Sequence, residues 1–278
     1  MEMMKDILTD TGMDVLKMLP YLFAAFVLIE ALERYSGTYA KRVLLKVGKA
    51  GPAVGALLGC IPQCGFSVMA ANLYAGGIIS VGTLLSVFIA TSDEAVLIML
   101  GNPDAIAEVW PLIAAKIVIA VLAGYLTDLF LAKWISAPKE TGNLCREWGD
   151  HNEEKGILRS AWDHTARIFV FLLLFTGVLN LAAGVFGMER LSAFLLGDTI
   201  FQPVIAAVIG LIPNCAASVI LTQLYLGGAI TFASVTAGLS TGAGAGLAVL
   251  CRVNQDKREN LKVIFTLFGF GAAAGLIL

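Results

Sequence analysis

The chain has 278 residues, 58% hydrophobic and 14% charged, with a mean hydropathy of +0.83, more apolar side chain than a water-soluble core of this length absorbs. Lys and Arg number 19 against 21 Asp and Glu, a net charge of −2, so no basic excess points to nucleic acid. Five cysteines are an odd number, and Cys60, Cys64, Cys215 and Cys251 lie in or beside apolar segments, which favours free thiols over a disulfide framework.

The first apolar run, 15–32, follows Glu2, Lys5, Asp6 and Asp10 rather than the basic start of a secretory signal, and so reads as a retained span. Further runs near the length needed to cross a bilayer, about 20 residues, occupy 79–100, 109–135, 168–186, 231–251 and 261–278. Regions 47–78 and 200–229 are apolar but interrupted, at Ile61-Pro62-Gln63-Cys64 and at Ile212-Pro213-Asn214-Cys215. Proline removes a backbone donor and disfavours helix in the residue before it, so each region is expected to form two short helices around a break.

The two breaks are copies. Pro62 and Pro213 are 151 residues apart (213 minus 62), and the same offset pairs Cys64 with Cys215, Ser67 with Ser218, Leu73-Tyr74 with Leu224-Tyr225 and Gly76-Gly77 with Gly227-Gly228. From Gly59 to Ile79, 11 of 21 positions are identical at that offset, which marks an internal duplication.

If both broken regions double back, the basic residues of 34–49, 133–167 and 252–262 share one side, and the other keeps only Lys5, Lys17 and Arg190. Lys and Arg in short loops favour the cytoplasm, so hairpins are preferred to single crossings. The expected fold is all-α and membrane-integral: two inverted repeats, each of three transmembrane helices plus one broken-helix hairpin, about ten helical segments. Residues 1–135 form the first repeat, 136–163 a polar connector and 164–278 the second repeat. Expected placement is multi-pass in the cell (inner) membrane, N-terminus outside and connector cytoplasmic. Cys145 and His151 in the connector could bind metal, against the alternative of an unstructured linker.

Freed backbone at bilayer depth must be satisfied by protein or by a wet cavity, so the hairpin tips are expected to line a binding site. Near the tips stand Cys60, Gln63, Cys64 and Ser67, and Asn214, Cys215 and Ser218. Thiolate selects soft ions whereas carboxylate suits hard cations, which makes Cys64 and Cys215 the metal-binding candidates for a thiophilic cargo. Cysteine as a small apolar filler is the competing reading, above all for Cys60 and Cys251. Asn72 and Gln223, also paired by the offset, either line the cavity or bond between helices.

Thr91-Ser92-Asp93-Glu94 falls past the middle of the 79–100 run, where an ionised carboxylate costs a few kcal/mol unless paired or hydrated. Asp93 and Glu94 are therefore candidates for ion coupling or for holding a hard metal. Their counterpart, Ser240-Thr241-Gly242-Ala243-Gly244, is polar but uncharged. Lys116 could pair with Asp93 or Glu94, as a coupling element or as a plain structural ion pair. Glu30, Arg167 and Asp128 read as interfacial anchors.

Gly-Cys-Ile-Pro-Gln-Cys-Gly-Phe-Ser at 59–67, Thr-Ser-Asp-Glu at 91–94 and Gly-Leu-Ile-Pro-Asn-Cys-Ala-Ala-Ser at 210–218 resemble the ten-helix heavy-metal exporters, described as arsenic efflux proteins or manganese transporters. A more distant similarity is to organoarsenical permeases. The resemblance implies efflux of a thiophilic metalloid or divalent metal, with Cys64, Cys215 and 91–94 at the matching positions.

The expected function is secondary-active export of an arsenic-like metalloid or metal, coupled to protons or cations, with no cofactor. A manganese carrier using the acidic stretch is the rival, and an ion channel or a membrane enzyme is the alternative class. No HExxH or GxSxG motif appears, so an enzyme is not expected. Expected partners are a small ion or metalloid and the lipid bilayer, not nucleic acid, with a homodimer left open.

Overall fold

The computed structural model describes residues 48–62, 64–102, 105–131, 134–135, 199–213 and 215–278, with isolated positions 20, 23, 27, 162, 166 and 170; side chains at 64, 93, 94, 215 and 216 are outside that description. The predicted spans 15–32 and 168–186 and the connector lie largely outside the described residues, as do Gln63 and Asn214. Among the described residues every regular element is helical.

In the first repeat these are α1 (Gly51–Gly59), α2 (Cys64–Ala75), α3 (Val81–Ala90), α4 (Asp93–Gly101) and α5 (Ile106–Leu126), the last closing in a wider π turn over Thr127–Leu131. In the second they are α6 (Gln202–Gly210), α7 (Cys215–Leu226), α8 (Phe232–Thr241), α9 (Ala245–Val253) and α10 (Lys257–Ile277). Bounds repeat at 151 for all five pairs except α4 and α9, which are offset by 152.

Both proline-marked regions are two helices around a break, and contacts show where the chain goes after it. A Cβ on Gly51 would meet Thr83 Oγ1 at 2.2 Å, and one on Gly59 would meet Val87 O at 2.7 Å. Helices α1 and α3 therefore run side by side in the same direction, so α2 must carry the chain back. The second repeat behaves alike: Gln202 Oε1 accepts from Thr231 N (3.0 Å) and Ser234 Oγ (2.8 Å) at one end, while Gly210 abuts Gly238 O at the other.

The return from each hairpin is a glycine-dependent helix end. Gly77 (φ 68°) and Gly228 (φ 71°) hold the left-handed conformation that glycine adopts without steric cost. Ile78 N donates to Leu73 O and Ala229 N to Leu224 O, the long-range bond of a Schellman ending. Ser80 and Thr231 then cap α3 and α8, accepting from Thr83 N and Ser234 N. Asp128, expected to be an interfacial anchor, secures that corner: its carboxylate accepts from Gly82 N (2.8 Å) and Ser80 Oγ (2.7 Å). Gln202 does the same task in the second repeat.

Two of the expected continuous spans are corrected. The 79–100 run is α3 and α4 separated at Thr91-Ser92, and the 231–251 run is α8 and α9 separated at Gly242-Ala243-Gly244. Across their full lengths, Val81–Gly101, Ile106–Leu131, Phe232–Val253 and Lys257–Ile277 are each long and apolar enough to cross a membrane. The broken pair is 94% and 72% buried by protein, against 28% and 44% for the unbroken pair. Interrupted backbone is thus enclosed, and the intact helices face outward, as the cost of unsatisfied amides in lipid requires.

The repeats interlock through their hairpins. Helix α2 lies along α9, where Gly246 admits Ser67 so closely that a Cβ there would fall 2.7 Å from the serine Cβ, and α7 lies along α4. Tyr74, at the end of α2, bonds Glu259 just beyond the end of α9. Helix α9 therefore runs toward the side that α3 leaves. That side also gathers Lys49, the end of α5 and the start of α10, where Lys262 Nζ donates to Trp134 O (2.6 Å) and lies over the Trp134 ring at 4.9 Å.

Candidate functional site

A helix that stops at bilayer depth leaves carbonyls without intrahelical donors. In a continuous helix Ala95 N would bond Thr91 O, and Ala243 N would bond Leu239 O. Here Ala95 N donates to Ser92 O (3.0 Å) and Ala243 N to Thr241 O (3.1 Å), so both carbonyls are released. The ammonium of Lys116 takes both: Nζ donates to Thr91 O and, at 2.8 Å, to Leu239 O. The lysine is fully buried. An ion so placed costs several kcal/mol unless compensated, and the negative ends of two half-helix dipoles supply part of the compensation. One cation thus joins the two breaks and the two repeats.

The predicted site residues sort around this crossing. Thr91 ends α3, its Oγ1 donating to Val87 O (2.7 Å), and Ser92 Oγ donates to Ala90 O (3.2 Å). Asp93 and Glu94 open α4, so the acidic stretch sits on a helix start and not inside a continuous span. Thr241 Oγ1 donates to Ala207 O (2.7 Å) and Gly238 O (2.9 Å), tying α8 to α6. Among the described residues, the adjacent Ser240 Oγ and, one turn earlier, Thr236 Oγ1 are fully buried and find no hydrogen-bond partner. Buried hydroxyls without partners are rare in native structures and call for a reason.

At the tips, Cys60 is partly buried and lies within reach of the Lys116 charge. Cys64 and Cys215 are the first residues of α2 and α7. Ser67 is fully buried, with its Cβ and backbone against Gly246, and Ser218 stands one turn into α7. Asn72 is partly buried, and its Nδ2 donates back to Val68 O within α2 (3.0 Å). Gln223 lies half-buried on α7. Among the described residues no three His, Cys, Asp or Glu side chains cluster as a metal site; the four predicted ligand side chains, of Cys64, Cys215, Asp93 and Glu94, are not among them.

Sequence reasoning missed the Thr91-Ser92 and Gly242–Gly244 breaks. The signals were present as a Ser-Asp helix start and a Gly-Ala-Gly run, without the proline that marked the hairpins.

A family model described as "Putative, 10TM heavy-metal exporter" matches residues 2–189 of this chain. The match takes in the first hairpin, the acidic break and Lys116, and ends before the second hairpin. No curated protein and no solved structure matches. With well over half its length matched, on a fold of buried broken helices between intact outward-facing ones, the chain belongs to this family of multi-span heavy-metal exporters.

Proposed function

We propose that the protein is a secondary-active exporter that carries a thiophilic metalloid or metal, of the arsenic kind, through a site between the two hairpin tips and the two helix breaks. The observation that carries the reading is the buried Lys116 ammonium bound to a carbonyl from each break. It supports a single central site at which both repeats meet. The opposed courses of α3–α4 and α8–α9 support treating the halves as inverted repeats, an arrangement that lets one rock against the other around a fixed site.

In this reading Cys64 and Cys215 supply soft sulfur ligands, and Cys60, Gln63, Asn214, Ser218 and the partnerless Ser240 add neutral contacts. A neutral trivalent metalloid hydroxide suits such a site. Asp93 and Glu94 exchange the coupling proton or cation. No nucleotide-binding motif is present in the sequence, so an ion gradient is the proposed driving force.

The test is flux into proteoliposomes bearing a proton gradient, with arsenite and Mn²⁺ offered separately to wild type, Cys64→Ser and Asp93→Asn. Gradient-driven arsenite flux, lost in Cys64→Ser, is the expected result. Mn²⁺ flux sensitive only to Asp93→Asn would move the function to the acidic stretch, and no flux of either would sink the metalloid reading.

A further inference from the structure

A serine or threonine buried within a helix has an acceptor close at hand, the carbonyl one turn earlier on its own helix. Ser86, Thr91, Thr222 and Thr266 all use it, their hydroxyls donating to the carbonyl four residues back at 2.7–2.9 Å. Thr236 and Ser240, one turn apart on α8 and both fully buried, do not, and among the described residues neither hydroxyl finds any other partner. Both are therefore turned off their own helix with their bonding capacity unused.

The contacts of α8 show which way they face. Val235 and Leu239 pack among the apolar side chains of α4, α5 and α7. Ala237 and Thr241 lie against Gly271 and Gly275 of α10, and Gly238 lies against Ala206 of α6. At about 100° per residue, Thr236 and Ser240 take the sector that remains, opposite α6, and α3 and α5 of the first repeat also pack against α8. The Lys116 ammonium is close by, since it holds the carbonyl of Leu239, the residue before Ser240. In α3 the matching positions, 151 residues earlier, are Leu85 and Ile89, both fully buried. Where one repeat packs two branched hydrocarbons, the other carries two smaller, hydroxylic side chains.

Side chains one helical turn apart have Cβ atoms about 5–6 Å from each other, and a water that bonds an oxygen on each side at about 2.8 Å spans such a gap. A buried water is held by about two to four polar groups that otherwise lack partners, and these hydroxyls supply two. We propose that Thr236 and Ser240 form a water-binding site, in which one ordered water bridges the two hydroxyls and extends the polar crossing at Lys116 by one helical turn along α8. The site keeps a hydrated surface beside the ammonium, in a layer otherwise packed with hydrocarbon. It goes beyond the cargo reading and holds whichever ion is carried.

A double-mutant cycle on the full-length chain in lipid nanodiscs tests the site, using Thr236→Val, which keeps the side-chain shape, Ser240→Ala, and the two together, each read as a thermal midpoint. A bridging water is a shared partner, so removing either hydroxyl strands the other, whereas removing both does not. Each single change is expected to lower the midpoint by about 2–4 °C, and the double variant to lie closer to wild type than the sum of the two shifts. If the hydroxyls hold nothing, each removal relieves a buried unsatisfied group; single variants with unchanged or raised midpoints would overturn the proposal. Strictly additive losses would overturn it too, since the hydroxyls would then act apart. Should a variant not fold, Thr236→Cys and Ser240→Cys are treated with a small water-soluble methanethiosulfonate, beside Val235→Cys and Ala237→Cys, and each site is read by peptide mass. Reaction at both positions about tenfold faster than at the neighbours is the result expected of a hydrated stripe, and equal rates would contradict it. Neither readout involves flux, so a refuted cargo leaves the water site standing.

Discussion

The two helix breaks occupy matching places in the duplicated fold and are chemically unlike. The first is Thr91-Ser92 followed by two acids, with Lys116 beside it; the second is Gly242-Ala243-Gly244, and the position matching Lys116 is the buried Leu267. Gly244 adopts φ 52°, a left-handed conformation that lets the second break form without polar side chains. The backbone scaffold was thus retained in both copies while charge was confined to one. A single cation serves both breaks because α5 reaches across to the Leu239 carbonyl of the other repeat.

If that asymmetry is required, restoring symmetry is the most damaging change. Leu267→Lys would bury a second cation at a fully buried apolar packing position, and is expected to destabilise by about 3–5 kcal/mol; a lowered melting temperature in detergent checks this, and an unaltered one would show the second break to be equally able to hold charge. Lys116→Met removes the shared cation but keeps the bulk. Flux is expected to fall at least about 100-fold, near 2.7 kcal/mol in barrier terms, while stability changes by less because an apolar replacement of a buried ion is often tolerated.

Smaller effects test the symmetric part. Gly59→Ala and Gly210→Ala place a methyl 2.7 Å from Val87 O and 2.0 Å from Gly238 O, backbone atoms that cannot rotate away. Each is expected to cost about 1–3 kcal/mol, with Gly269→Ala, which meets nothing within 4 Å, as a neutral control in the same thermal assay. Unequal costs at 59 and 210 would show that the hairpins do not pack as equivalents. Smallest is the corner cap: Asp128→Ala should cost about 1 kcal/mol, and Gln202→Ala a similar amount, by chemical denaturation.

The hairpins could be read from residues because proline writes a break into the chain, and the 151-residue offset repeats it. The course of the chain after each break could be argued from basic residues, and the close contacts of Gly51 and Gly59 settle it. The second pair of breaks was hidden because Ser-Asp and Gly-Ala-Gly are equally at home in binding sites and at helix ends, and the runs on either side form a continuous apolar pattern. The carbonyl partners of Lys116 were not legible at all. Asp93 and Glu94, whose side chains lie outside the described residues, were the natural candidates, and two further groups that hold it are main-chain carbonyls, which lose their intrahelical donors only once both helices have broken.

The central claim, that the two cysteine-bearing tips share one cargo site at this crossing, is tested most directly by substrate protection. Cys64 and Cys215 are labelled with a small membrane-permeant maleimide, and resolved from each other by peptide mass, in a variant whose other three cysteines are serine, with and without saturating arsenite. The account predicts that arsenite slows labelling of both by about tenfold. Labelling of both at unchanged rates would contradict it.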